Sequence, residues 1–120
     1  MKLRADYNPF MICKVTDGGV TTITPTRRRL TIYDIESLFA EAVHQIEIGS
    51  IKLIVDFSEV EGVCTSTAGF LLELKRRLDR IGGSLKLTKV PDELQQVLKM
   101  MGLEGRFEIV GPPRVLRNAG

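Results

Sequence analysis

The chain of 120 residues is short of several things that chemistry usually needs. It holds two cysteines, Cys13 and Cys64, and one histidine, His44. The cysteines have neither CxxC nor metal-ligand spacing, so we expect free thiols in a reducing cytosol. A single histidine, with no cysteine or carboxylate at ligand spacing, does not make a metal site. We expect no metal and no cofactor. No apolar run approaches the length of a membrane span, and Met1-Lys2-Leu3-Arg4-Ala5-Asp6 leads into no secretory core. We therefore expect a cytoplasmic protein without a membrane partner. The net charge of +2 is too small to point to nucleic acid. No glycine loop suited to a phosphate is present, because Gly18-Gly19 reads as a hairpin turn. The acids Asp56, Glu59 and Glu61 show no acid–base pairing. There is no internal repeat and no low-complexity segment.

What is present is an ordinary globular composition, 43% hydrophobic and 27% charged. A chain of this length forms one domain and buries about two-thirds of its unfolded surface. Phe10 to Val15 and the β-branched run Val20 to Thr24 flank Asp17-Gly18-Gly19 and read as a hairpin. Thr26-Arg27-Arg28-Arg29-Leu30 reads as a basic loop. Thr31 with Asp34 three residues on forms a capping-box pattern. The following helix places Ile32, Ile35, Leu38, Phe39, Ala42, Val43 and Ile46 on its apolar face, with Glu36, Glu41 and Glu47 on the polar side. Gly49 closes it.

The run Ile51-Lys52-Leu53-Ile54-Val55-Asp56-Phe57 suits a central strand covered on at least one face. A second helix then carries Phe70, Leu71, Leu74, Leu78 and Ile81 on one stripe and stops at Gly82-Gly83. Ser84 to Leu87 is the next strand. Pro91 suits the first turn of a third helix, with Asp92 and Glu93 favourable to its dipole and Leu94, Val97, Leu98 and Met101 as its apolar face. Phe107 to Val110 is a last short strand. The order β-β-α-β-α-β-α-β predicts an α/β domain over residues 1–110, with a mixed, mainly parallel sheet, an N-terminal hairpin and three amphipathic helices. Residues 111–120, with Pro112-Pro113, are expected to be a flexible tail.

Cys64-Thr65-Ser66-Thr67-Ala68-Gly69 stands between the central strand and the second helix. This stretch, the Gly82-Gly83 helix end and Met101-Gly102-Leu103 together resemble the STAS domain of bacterial anti-sigma-factor antagonists. That family carries Asp-Ser-Ser-Gly-Leu-Gly at this point. Here Cys64 takes the place of the acid, Thr67 that of the first glycine and Ala68 that of the leucine. The resemblance implies a STAS fold and a regulator that docks to an anti-sigma factor. That partner would be a Ser/Thr kinase of histidine-kinase-like fold, with a phosphatase to reverse it. It also implies that Thr65 receives the phosphate, with Ser66 as second candidate.

From the residues alone, Thr65 or Ser66 could instead act as N-cap, worth about 1 kcal/mol. Cys64 could be a reactive thiol near a helix start or a small, half-buried turn residue. His44 reads as a boundary residue. The docking surface expected from the resemblance comprises Cys64, Thr65, Ser66, Thr67, Glu73, Arg76 and Arg77, with Arg27, Arg28 and Arg29 nearby. Those three arginines could be solvated loop charge, hold a phosphate on Thr65, or steer an acidic partner; steering is the reading we favour. We expect no enzyme and a monomer or weak dimer. The alternatives are a phosphorylation-independent STAS scaffold or transporter-associated subunit, and an enzyme using Cys64.

Overall fold

A computed structural model describes residues 10–16 and 18–111. Residues 1–9, residue 17 and the expected tail beyond Gly111 lie outside the described residues.

The elements are β1 (Met11–Val15), β2 (Val20–Pro25), β3 (Arg29–Leu30), α1 (Ile32–Glu47), β4 (Lys52–Asp56), β5 (Gly62–Val63), α2 (Ser66–Arg80), β6 (Ser84–Thr88), α3 (Asp92–Met100) and β7 (Glu108–Val110). Among the described residues, five strands form one sheet in the order β1-β2-β4-β6-β7. The β1–β2 hairpin is antiparallel and every other pairing is parallel. The expected α/β architecture is therefore present, and β4 lies at the centre.

Register explains the layering. Thr21, Leu53 and Leu85 align across β2, β4 and β6, as do Ile23, Val55 and Leu87. All six are buried. Side chains alternate across a strand, so this alignment makes one continuous buried face, apolar except for Thr21, whose hydroxyl donates to Ser50 Oγ at 3.0 Å. α1 packs on β2, α2 packs on β6, and the two helices pack on each other. Their inner stripes are Ile35, Leu38 and Ala42 on α1 and Ala68, Leu71, Leu74 and Leu78 on α2. α3 seals the end with buried Leu94, Val97 and Leu98. The Thr31 capping box is present: the Asp34 amide donates to Thr31 Oγ1 at 3.4 Å, and the Thr31 amide donates to Asp34 Oδ2 at 2.8 Å.

Four details differ from expectation. First, β3 and β5 pair with each other as a separate two-stranded parallel sheet. Two residues are too few to show a period, so both read as loop. Second, Glu41 is buried rather than on the polar side, and Gln45 Nε2 donates to its Oε2 at 2.8 Å. A satisfied carboxylate tolerates burial that a lone one would not. Third, Pro91 is the extended N-cap of α3 rather than its first helical residue. Fourth, Ile81 and Met101, expected on apolar stripes, are 48% and 51% exposed. Each is the C-cap of its helix, and the next residue, Gly82 or Gly102, turns the chain at positive φ. Each helix ends one residue before the sequence pattern does, and its buried stripe stops at Leu78 or Leu98.

Candidate functional site

The short β3–β5 sheet delivers the chain to the start of α2. The amides of Glu61 and Gly62 donate to Arg28 O at 2.7 and 3.0 Å, and the Cys64 amide donates to Leu30 O at 3.2 Å. Thr65 follows at once.

Thr65 does not cap α2. Its backbone is already helical, with φ −63° and ψ −26°, and its side chain accepts no cap hydrogen bond. Capping requires extended backbone at that position so that the hydroxyl can turn back onto the helix amides. The capping alternative is therefore overturned for Thr65. Ser66 lies inside the helix as its first residue, which removes it as a cap too. Both residues are exposed. Neither hydroxyl makes a hydrogen bond among the described residues.

Thr67 behaves in the opposite way. It is fully buried, its amide donates to Cys64 O at 3.1 Å, and its Oγ1 lies 3.7 Å from Cys64 Sγ. It lines a small apolar gap between α1 and α2 with Ile35, Leu38, Phe39, Phe70, Leu71 and Leu74. Thr67 therefore supports the turn from beneath and cannot touch a partner, contrary to its expected place on the docking surface. Cys64 is a half-buried free thiol.

The outer side of α2 carries Gly69, Arg76 and Arg77, all exposed, and Glu73, half-buried. Arg77 donates to Glu73 Oε2 at 3.2 Å, and its guanidinium stands 5.2 Å from the Phe39 ring centre. Phe39 in turn meets Phe70 with ring centres 5.5 Å apart. Lys75 pairs with Asp79 at 2.9 Å. Ile32 and Tyr33, 39% and 76% exposed, stand at the start of α1.

The three loop arginines are not the free positive cluster that the sequence suggests. Arg27 pairs with Asp34 at 3.0 Å, Arg28 with Glu61 at 3.2 Å and Arg29 with Glu93 at 3.4 Å. Arg27 also stands over the Phe10 ring, 4.1 Å from its centre. Three acids from three parts of the chain neutralise the loop, so its long-range field is much weaker than three isolated guanidinium groups would make. Steering by these residues loses its physical basis. Glu93 is the participant the sequence did not reveal. It read only as a dipole partner in a helix first turn, and nothing local links it to Arg29.

Among the described residues, no group of three or more His, Cys, Asp or Glu could hold a metal ion. No helix among them is long and apolar enough to cross a membrane.

Comparison with known proteins places this geometry. A family model described as "Mlab, STAS domain" matches residues 27–116, well over half of the chain. Among solved structures, the anti-sigma factor antagonist SpoIIAA in its unphosphorylated form superposes with a TM-score of 0.72 at 18% identity, covering 84% of this chain and 88% of that one. The phosphorylated form of the Bacillus cell fate determinant SpoIIAA gives 0.67 at 18% identity, covering 84% and 91%. An anti-sigma factor antagonist from Mycobacterium paratuberculosis gives 0.71 at 15% identity, covering 85% of each chain. At such identities the likeness establishes the fold alone. No curated protein sequence matches.

Proposed function

Because this chain belongs to the STAS domain family, we propose that it is a regulatory binding protein of the anti-sigma-factor-antagonist kind, switched by phosphorylation of Thr65. The observation that carries this reading is the Thr65 hydroxyl. It is exposed at the start of α2 and engaged by no cap bond. A group with a structural task would be held; this one is available.

The docking surface comprises the Cys64–Ser66 turn and the outer side of α2 with Glu73, Arg76 and Arg77. The partner is an anti-sigma factor of histidine-kinase-like fold that also phosphorylates Thr65, and a phosphatase resets the switch. The protein acts by occupying its partner, without catalysis of its own, in the cytoplasm. A phosphate adds about −1.5 to −2 charges, which the positive end of α2 tolerates without loss of fold. The same dianion is costly to desolvate in an interface, so the modified protein lets go. That fold relatives have been captured both with and without phosphate is in keeping with a rigid switch of this type.

A second reading has one observation in its favour: Cys64 stands where the family motif has an acid. A scaffold or transporter-associated subunit that binds without phosphorylation would not need that acid. Phosphosite mapping of the protein from its native host separates the two. The switch predicts phosphate on Thr65 in preference to Ser66. Protein that stays unmodified under every growth condition supports the scaffold. Thr65→Ala should fold with stability within about 0.5 kcal/mol of the parent, because an exposed hydroxyl that caps nothing contributes little. A loss of 1 kcal/mol or more in chemical denaturation would restore the capping role.

A further inference from the structure

Glu93 occupies a position that docking at the Thr65 turn does not account for. It lies in the first turn of α3, yet its carboxylate reaches away from that helix. The buried Val63 donates its amide to Glu93 Oε2 at 2.5 Å. Arg29 donates from both terminal nitrogens to the same carboxylate, at 3.5 and 3.4 Å. One side chain therefore joins α3, β3 and β5 two residues before Thr65.

Strand geometry explains why an acceptor is needed there. Successive amides along a strand point to opposite sides. Those of Gly62 and Cys64 donate to Arg28 O, just before β3, and to Leu30 O within it, so the Val63 amide faces the unpaired side. Glu93 meets it with a charged acceptor, and such bonds are roughly twice as strong as neutral ones. Arg29 orients the acceptor. The guanidinium can cross only because residue 62 is glycine: a Cβ there would stand 2.4 Å from Arg29 Cζ.

We propose that Glu93 is a positioning residue for the Thr65 turn. With Arg29 laid across Gly62, it forms a latch that fixes where the Thr65 hydroxyl and the adjoining docking surface stand. The consequence for partner binding rests on the reading of that turn as the docking site; the latch itself does not. The arginine arm alone is weak, since its side chains are 66% and 41% exposed and such pairs contribute little. The amide arm carries the latch and the arginine sets its direction.

The test uses the isolated full chain and needs no partner. Amide hydrogen exchange and amide resonances are followed by NMR in Glu93→Ala, Glu93→Gln, Arg29→Gln and Gly62→Ala. Glu93→Ala should speed exchange at Val63 by at least about tenfold and shift the resonances of Cys64, Thr65 and Ser66. Core amides at Val55 and Leu87 should keep their protection. Glu93→Gln retains an acceptor oxygen, so Val63 should lose less protection than in the alanine variant. Gly62→Ala should shift the Thr65 resonances in the same direction as Arg29→Gln, because both unseat the guanidinium. Should Glu93→Ala fail to fold, the glutamine and Gly62→Ala variants still decide. Unmoved Thr65 resonances in these variants would overturn the latch, as would protection lost equally at Val63, Val55 and Leu87. Either failure leaves docking at Thr65 standing, while an intact latch beside an unmodified Thr65 would count only against the switch.

Discussion

Phe57→Ala should lower the unfolding free energy by roughly 3–5 kcal/mol, the largest single-residue effect we expect. Phe57 is fully buried just past the end of β4. Its amide donates to Thr88 O at 3.0 Å, which anchors the ring where the sheet gives way to the loop before β5. Alanine would leave a cavity beneath that loop, and the central strand has little freedom to collapse into it. A domain of this size is stable by only about 5–15 kcal/mol in total. The variant should therefore unfold at a much lower urea concentration with a similar m-value. A loss below about 1 kcal/mol would mean that the ring does not anchor the core.

Gly83→Ala should cost about 3 kcal/mol, through backbone rather than packing. A Cβ on Gly83 would stand 2.3 Å from the Ile51 carbonyl oxygen, 3.0 Å from Leu78 Cδ2 and 3.1 Å from Ile51 Cβ. A backbone carbonyl cannot step aside as a side-chain tip can. The same carbonyl accepts from the Ser84 amide at 2.8 Å, so displacing it also disturbs the start of the β4–β6 ladder. Gly82 is the internal control. Its φ is +75°, but a Cβ there meets nothing within 4 Å. Gly82→Ala should cost only the left-handed penalty of about 1–2 kcal/mol. Denaturant titration of both variants checks the ranking, and Gly83→Ala no more damaging than Gly82→Ala would contradict the close approach.

These two glycines also mark where the sequence was legible. Gly82-Gly83 as a helix stop, the Thr31–Asp34 capping box, the hairpin and the central strand are all written in residues close together in the chain, where periodicity and cap chemistry act. The family resemblance rested on the same stretch, and the family match and the fold agree with it. What could not be read depends on distance along the chain, on backbone angle, or on a side-chain pairing that periodicity does not show. Arg28 meets Glu61 33 residues away, and Arg29 meets Glu93 64 residues away. No local pattern distinguishes arginines so paired from free ones. Thr65 has the right side chain for a cap and the wrong backbone. Thr67 belongs to a motif drawn as surface, yet its hydroxyl has turned inward to the Cys64 thiol. Glu41 sits on a helix face that its charge alone would assign to solvent. Except at Thr65, where the backbone decided, a specific partner decided each outcome.

A negative charge at Thr65 should release the partner. The affinities of Thr65→Ala and Thr65→Glu for the partner protein recovered from the native host, titrated at fixed ionic strength, report that release. The alanine variant should bind like the unmodified protein. The glutamate variant should bind at least about tenfold more weakly, a difference of about 1.4 kcal/mol. Equal affinity of the two variants would contradict the switch and leave a STAS module that binds regardless of phosphate.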